Sequence, residues 1–497
     1  MNVNSSFCQI GTTIPANRRV DWTNAGYPGS FPKDFKRTIN VKTFGAIGDG
    51  KADDTKMIQA AIDAANPSVL TLVYLPAGDY KLSSTIYLIR NNLVLRGAGS
   101  DSTRLHFYNA SGHCIYITGK WKNDEKSATN YSLNSGNQKD SKRITFTENQ
   151  INLDSGQYID LRRDMYLPDI CNVPDVCKAC VKGTNMFEQV IKVLSKKGNV
   201  LELEDGLSIN YDISSLKISR INLVQNIAIQ NMHLIKDGRE PENDSSAYKI
   251  CIESTANILI SGIESSNTAY HHIGILKSTK VEIRGSYFHH SNYYFSDKRG
   301  RTDGYGIYIG YGSTDCLIED NIFLNLRHSV ALSISPNRNV IGYNYSGEPL
   351  ACQSGNCQYE FVIHGYYPEA NLFEGNVCGS FDIDTYWGLN GPYNTIFRNK
   401  FDKVDLCSAP SINAVGNLII SYQKLGCPDP SDIFKANNNV AGTLADKSLY
   451  HTSKPGFLSE KYTWPVIGPP LLQGQSLSNT IPAEARYKSG GKLTVNY

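Results

Sequence analysis

Asn257-Ile-Leu-Ile260 returns along the chain as Lys280-Val-Glu-Ile283, Cys316-Leu-Ile-Glu319, Asn339-Val-Ile-Gly342, Asn371-Leu-Phe-Glu374 and Asn394-Thr-Ile-Phe397. Each is a short apolar alternation bounded by polar turns. A second family of strands runs between them, with apolar pairs Ile250/Ile252, Ile273/Ile275, Ile309/Tyr311, Leu332/Ile334, Phe361/Ile363 and Phe381/Ile383. Counting first members, these pairs lie 23, 36, 23, 29 and 20 residues apart. A unit of this length with two or three short strands and no helix predicts one coil of a parallel β-solenoid. Leucine-rich repeats have similar length, but their Leu-x-x-Leu-x-Leu pattern is missing. The long step holds about 13 extra residues, Phe288 to Tyr305, which must leave the coil as a loop. Recurrent Asn at turn positions predicts left-handed corners and stacked amide ladders.

Outward from the repeat, towards the amino terminus, residues 121–222 change character. They hold Lys and Asp runs, three clustered cysteines (Cys171, Cys177, Cys180) and strands such as Gln157-Tyr-Ile-Asp-Leu161. This segment reads as an inserted β-rich subdomain. Before it, Ile39–Phe44 predicts a strand, and Gly45-Ala-Ile-Gly48-Asp49-Gly50-Lys51-Ala52-Asp53-Asp54-Thr55 a turn into a helix ending near Ala65. Ile58, Ala61, Ile62 and Ala65 give that helix one apolar face, and Asp53 or Asp54 suits its N-cap. Short strands follow at 72–75, 85–88 and 93–95. Towards the carboxyl terminus, the Pro- and Gly-rich residues 426–497 are expected to wrap or cap the open end of the solenoid. The expected division is 1–40, an extension; 41–120, capping helix and first coils; 121–222, the insertion; 223–425, the main coils and groove; 426–497, the tail.

Composition narrows the function. The 497 residues contain 49 Lys and Arg against 47 Asp and Glu, a net charge of +2. The basic footprint of a nucleic-acid binder is missing. No run approaches the 18 to 20 apolar residues of a membrane span. Tyr supplies 30 aromatic residues, against 17 Phe and 4 Trp; its apolar ring and polar tip suit sugar-facing surfaces as well as strands. Twelve cysteines, an even number, favour disulfides and export to the cell surface, periplasm or medium. Met1–Gly11 has no apolar signal core, so the expectation is a mature chain with an added Met, with an unusual cytosolic protein carrying free thiols as the alternative. Asn4, Asn109, Asn130, Asn243 and Asn344 each begin an Asn-x-Ser triplet, a weak hint of export.

At this point a resemblance can be stated. Phe44-Gly45-Ala46-Ile47-Gly48-Asp49-Gly50, Asp53-Asp54-Thr55, the helix from Met57 to Ala65, and Leu75-Pro76-Ala77-Gly78-Asp79-Tyr80 resemble the opening of the pectin-lyase-like right-handed β-helix superfamily, in its rhamnogalacturonase, epimerase and tailspike-like branch. The resemblance covers about 45 residues, and the later coils agree with it. It implies an all-β fold, a right-handed parallel β-helix with an amino-terminal capping helix and an inserted small β subdomain. It also implies a carbohydrate polymer as partner, and allows Ca2+ as a cofactor, although the chain shows no oxygen-ligand loop for it. The branch contains hydrolases, lyases, epimerases and phage depolymerases, so it does not select one reaction. The Asn-Thr-Asp, Gly-Asp-Asp, Gly-His-Gly and Arg-Ile-Lys set of the polygalacturonases is absent.

Two local motifs have plainer readings. Gly45 to Lys51 imitates a phosphate loop, G-x-x-x-x-G-K, but Ala52 stands where a Ser or Thr would bind magnesium; a tight turn explains it. Cys177-Lys-Ala-Cys180 lacks a second ligand pair at zinc spacing; a disulfide-tied loop explains it.

The solenoid itself offers the candidate site. Equivalent positions on coils about 4.8 Å apart form columns. If the paired Ile and Leu face inward, Lys249, Glu253, His272, Tyr308, Glu360, His364, Asp382 and Asp384 face outward along a groove. Asp382 and Asp384 then share a face roughly 6 to 7 Å apart, between the retaining and inverting separations of glycosidases. The loop His289-His290 to Tyr305 adds Arg299, Arg301 and Asp303. A uronate lyase must neutralise a carboxylate and remove the C5 proton; His272, Lys277, His289, His290, Arg299, Arg301, Tyr308 and His364 supply such groups. An epimerase uses the same parts and returns the proton to the other face. A hydrolase needs one protonated and one ionised carboxyl, which Asp303, Asp382, Asp384 and Glu360 could supply. Lys249, Glu253, Lys277, Tyr305, Arg327, His328, Tyr366, Tyr386 and Trp387 are the candidate sugar-binding groups. The leading reading is an extracellular lyase or epimerase on a uronic-acid polymer. The alternatives are a glycoside hydrolase and a non-catalytic carbohydrate-binding or adhesin-like β-helix. The polymer, the linkage and the oligomeric state stay open.

Overall fold

The computed structural model describes residues 13–30, 34–108, 112–119, 129–148, 151–163, 187–211, 216–236, 247–268, 270–291, 304–350, 359–385, 387–406, 410–423, 432–440, 442–491 and 493. Among them, parallel strands stack into sheets of 12 and 18 strands, and seven antiparallel strands form a third sheet. Thr255–Ser261, Glu264–Thr268 and His271–Leu276 make one coil. Thr279–Arg284 then starts the next coil directly against Thr255–Ser261, with Ile258 opposite Val281 and Ile260 opposite Ile283. The chain is therefore a parallel β-helix. The larger sheet contains two parallel stacks, which meet in the long strand Val377–Asp384: Val377 pairs with Tyr345 of one stack and Phe381 with Phe361 of the other.

The interior follows from the alternation. Ile250, Ile273, Ile307, Val330, Phe361, Phe381 and Val404 form one register column, all fully buried. Removing such columns from water is the dominant favourable term of the fold. On two coils the inward pairs are Ile307/Ile309 and Val330/Leu332, not the expected Ile309/Tyr311 and Leu332/Ile334. A shift of two residues preserves facing, so periodicity alone does not detect it. Turn geometry decides: Tyr311 and Ile334 have φ of 54° and 62°, in the left-handed region that ends a strand.

Asparagines hold the turns. Nδ2 of Asn321 donates to Asn344 Oδ1 at 3.0 Å, and the pattern repeats through Asn376, Asn399, Asn417 and Asn438. A parallel ladder runs Asn339, Asn371, Asn394. Asn92, Asn226 and Asn257 form a third, all with φ near 58°, as Asn tolerates. Asn344 is fully buried in its ladder and offers no surface for a glycan.

The turn after Phe44 closes on its own helix. The Asp54 carboxylate accepts from Ile47 N at 2.6 Å and Gly48 N at 3.0 Å. It does not cap Thr55–Asp63 through its side chain; Asp53 accepts from Thr55 N instead. The backbone amides that would cradle a phosphate are thus used internally. Ile58, Ala61 and Ile62 of this helix pack into the main core.

The antiparallel sheet, from Thr129 to Ile221, lies against turns of the coils. Asn337 Nδ2 donates to Glu188 O at 2.7 Å, Ser208 Oγ to Glu369 Oε1 at 2.6 Å, and Lys280 Nζ sits 2.8 Å from Asp205. The outer face of the 12-stranded sheet is also covered. Ile14, Val20 and Trp22 pack there with Leu444, Leu449, Tyr450, Val466 and Ile467 over Leu317, Val340, Leu372, Phe397 and Val415. Arg398 is buried in this layer and donates to the carbonyls of Leu444, Asp446, Ile467 and Pro469. The tail segment from 444 thus lies along a face of the solenoid.

Cys114, Cys251, Cys316 and Cys378 are buried thiols, not disulfides. Each sits among packed apolar groups or backbone, where Cys behaves as a small hydrophobe. The other eight cysteines, including Cys177 and Cys180, lie outside the described residues, and so do Asn109 and Asn243. No described helix is long and apolar enough to cross a membrane.

Candidate functional site: a carboxylate–imidazole cluster on the larger sheet

With the 12-stranded sheet covered, the outer face of the 18-stranded sheet is where polar and aromatic groups gather. Asp382 and Asp384 leave strand Val377–Asp384 on one face because inward Phe381 and Ile383 alternate with them. Asp405 pairs with Asp382 on the next strand, between inward Val404 and Leu406. His364 pairs with Asp384 on the preceding strand, and its Nδ1 hydrogen-bonds to Asp384 Oδ2. Tyr359 OH donates to Asp405 Oδ2 at 3.3 Å. Burial holds the Asp382 carboxyl well above the usual carboxylate range, and the charges of Asp384 and Asp405 push it the same way. Asp382 is 7% exposed, while the side chains of His364 and Asp384 are 19% and 21% exposed. A buried carboxyl, pushed towards its protonated form, therefore lies beside a more open imidazole–carboxylate pair. A carboxylate accepts hydrogen bonds, so His364 Nδ1 donates and Nε2 carries the basic lone pair.

Aromatic rings lead along the coils to this cluster. Tyr270 stacks on His271 at 3.7 Å, His271 on Tyr305 at 4.1 Å, and Tyr305 meets His328 edge-on at 4.7 Å. His328 lies 6.3 Å from His364, which lies 6.1 Å from Trp387; Trp387 stacks on Tyr366. Arg327 Nη1 donates to Tyr305 OH at 2.9 Å. The row offers flat rings and polar tips of the kind that grip sugars. Burial lowers His271 to about 3 and His328 well below its usual range, so both are neutral. His328 is buried, and its Nδ1 is bonded to Tyr359 O, which makes it a support for the row rather than an open contact.

A second polar point lies farther along the same strands. Tyr116 OH donates to Glu253 Oε2, and burial raises Glu253 to about 7, against the pull of Lys277. Tyr308 stands outward between Gly274 and Ala331 on neighbouring strands. Gly274 is required there: a Cβ would fall 2.4 Å from the Tyr248 ring.

Several expected groups lie elsewhere. Lys249, His272 and Glu360 do not face outward. Their side chains turn instead onto groups of the neighbouring stack. Lys249 Nζ donates to Leu234 O and Ser266 O. His272 is fully buried with Nδ1 on Ser265 Oγ at 2.7 Å. Glu360 accepts from Ser346 Oγ and Ser380 N, and burial raises it to about 7. Lys277 is 1% exposed and sits 3.2 Å from Asp160 and 3.6 Å from Glu188, beneath the inserted sheet. Arg162 completes that buried network, 2.5 Å from Asp160. His289 and His290 meet each other and Glu264 on a different stretch of the sheet. Arg299, Arg301, Asp303 and Tyr386 lie outside the described residues.

Asp405, Tyr116 and Tyr359 were not singled out in the sequence. Asp405 had a signal: Val404-Asp-Leu406 repeats the pattern of Phe381-Asp-Ile383 one coil later. The two tyrosines had none, because Tyr is common throughout the chain.

The one convergent donor group among the described residues does not suit calcium. Among the described residues, the group of three metal-ligating side chains that converges is His233, Glu264 and His289. Two imidazoles are poor partners for a cation that prefers six to eight oxygens.

Comparison with known proteins agrees with the fold. Residues 38–162 match the family described as rhamnogalacturonase A/epimerase, pectate lyase-like. Mannuronan C5-epimerase AlgE3 of Azotobacter vinelandii is 49% identical over 71 residues, 13% of this chain and 4% of the epimerase. Alginate lyase 7 of the same organism is 49% identical over 70 residues, 13% of this chain and 8% of the lyase. This chain thus spans less than a tenth of either relative. The tailspike protein gp49 of Pseudomonas phage LKA1 superposes with a TM-score of 0.48 at 13% identity, over 82% of this chain and 80% of the tailspike. The matched opening segment and the stacked parallel coils together make this chain a parallel β-helix protein with a rhamnogalacturonase/epimerase-type, pectate lyase-like amino-terminal region.

Proposed function

We propose that the protein is a polysaccharide-acting enzyme that removes the C5 proton of a uronic acid residue, as an epimerase or a lyase. The observation that carries this reading is the His364–Asp384 pair, set beside buried Asp382, whose carboxyl burial pushes up, along the aromatic row. His364 Nε2 takes the C5 proton, and Asp384 holds the ring and stabilises the imidazolium. Asp382 donates a hydrogen bond to the uronate carboxylate as charge builds on it. Elimination then breaks the C4–O bond and forms C4=C5, and the departing O4 takes the proton from the His364 imidazolium; in epimerisation water delivers a proton to the opposite face of C5 and the imidazolium loses its own to solvent. The amino-terminal similarity to a mannuronan epimerase and an alginate lyase supports this chemistry.

A second reading has its own observation. Asp382 and Asp405 are register neighbours, and burial pushes the Asp382 carboxyl upward, which suits the acid of the carboxyl pair a glycosidase needs. Incubation with a panel of uronic and neutral polymers separates the two. Ultraviolet absorbance of unsaturated uronates marks elimination, and deuterium at C5 without cleavage marks epimerisation. Reducing ends without absorbance mark hydrolysis and overturn the first reading. Silence in all three assays, with retention on a polysaccharide gel, overturns both in favour of a binding protein.

A further inference from the structure

The main site does not use the group formed by His233, Glu264 and His289. These residues stand on three consecutive strands, His233–Lys236, Glu264–Thr268 and Tyr287–Ser291. His233 pairs in register with Glu264, and Ser266 with His289. One ligand atom from each lies within 4.8 Å of the other two. His289 Nε2 is 3.0 Å from Glu264 Oε1, and His233 Nε2 is 3.9 Å from the same oxygen. Ligands on a metal with bonds of about 2.0 to 2.2 Å lie roughly 3 to 4 Å apart, so a small side-chain adjustment brings all three onto one ion.

We propose that these three residues form a binding site for a divalent transition ion of the Zn2+ class. Two imidazoles and one carboxylate are the donor set of open zinc centres, which keep a coordination position for water or a ligand oxygen. The strands are locked by their ladders, so the ligands rest on a rigid support. Outer contacts set the rings. Tyr287 stacks on His289 at 4.2 Å, and His289 Nδ1 lies 2.6 Å from His290 Nδ1. Ser266 Oγ is 2.8 Å from His233 Nε2, and its rotatable hydroxyl yields that lone pair to the ion. The Lys249 charge nearby opposes a cation, but its ammonium is engaged with two carbonyls, and Glu264 supplies the compensating negative charge.

The test uses the full chain, stripped with a chelator and dialysed against Zn2+. Elemental analysis should find about one equivalent, and Co2+ in its place should give a four- or five-coordinate visible band. His233→Asn and His289→Asn should each weaken Zn2+ binding by more than about tenfold, the least that losing even an outer partner costs, with circular dichroism unchanged. A readout independent of variant folding is protection from a histidine-acylating reagent, mapped by mass spectrometry. Zn2+ should protect His233 and His289 in the wild-type chain. Failure to retain Zn2+, or retention with both histidines still modified, overturns the proposal; so does a Co2+ band unchanged in both folded variants.

Discussion

Asp382 and Asp405 occupy the same register position on consecutive strands, each flanked by inward apolar residues and each covered from solvent. Two carboxyls so placed cannot both ionise cheaply, and Asp382 is pushed up, by burial first and then by its neighbours. Substitution at Asp382 therefore distinguishes a hydrogen-bond donor from a proton donor. Asn keeps a donor but has no acidic proton. With elimination or epimerisation, Asp382→Asn should lower kcat/KM by roughly tenfold and Asp382→Ala by roughly a hundredfold or more. With hydrolysis, both should cost about 10^3-fold or more. The kinetics on whichever polymer the panel identifies decide it, and both variants should keep the wild-type Tm or exceed it, since an uncomfortable buried carboxyl is gone.

The His364–Asp384 pair makes a separate prediction. His364→Ala should reduce kcat by roughly 10^2- to 10^4-fold with little change in KM, because the base acts on the proton and not on the polymer's grip. Added imidazole should restore part of the loss. Asp384→Asn should also lower kcat, since an amide NH2 turned toward Nδ1 favours the tautomer with its lone pair on the wrong nitrogen. Unchanged kcat in both variants would remove the pair from the mechanism.

The asparagine ladders predict a stability effect far from any chemistry. Asn376 Nδ2 donates to Ile341 O and Asn399 Oδ1, and its Oδ1 accepts from both nitrogens of Asn344. Asn376→Ala leaves several buried polar groups without their partners, each costing about 1 to 3 kcal/mol. The expected loss is about 3 kcal/mol, read as a lower midpoint in denaturant with activity per folded molecule unchanged. Asn325→Gly, at the surface turn where Asn325 has φ of 52° and its Nδ2 meets Glu348, should cost well under 1 kcal/mol, because Gly takes that backbone freely.

Much of the fold was legible because a solenoid writes its period into the chain. Ile250/Ile252 and Phe381/Ile383 point inward as alternation demands, and that alone sets Asp382 and Asp384 outward. What alternation cannot express is the corner. Lys249, His272 and Glu360 fall on outward parity, yet their side chains are buried against backbone and serines of the neighbouring stack. Nor does a local period report packing between distant segments. Lys277 looks like an exposed base in its own coil, but Asp160 and Glu188, more than 80 residues earlier, bury it. His233, Glu264 and His289 belong to three coils whose steps differ, so their convergence appears only once the register is known.

The buried carboxyls contribute stability that falls as pH rises. Glu369 is fully buried, accepts from Ser208 Oγ at 2.6 Å, and is raised by that burial from 4.5 to about 8. Burial likewise raises Glu374 to about 7 and Asp315 to about 6. A folded state that holds a proton more tightly than the unfolded chain is favoured where that proton is present. The contribution is complete below about pH 4.5, the unfolded value, and declines as pH climbs towards about 8. Glu369 therefore lowers the Tm at pH 8.5 relative to pH 5.5, while the buried imidazoles of His271 and His328 act in the opposite direction. Glu369→Gln keeps the shape and the contact with Ser208 but cannot ionise, so it should match the wild type at pH 5.5 and exceed its Tm at pH 8.5. If the two curves stay parallel across that range, Glu369 is ionised in the folded protein and the slope has another source.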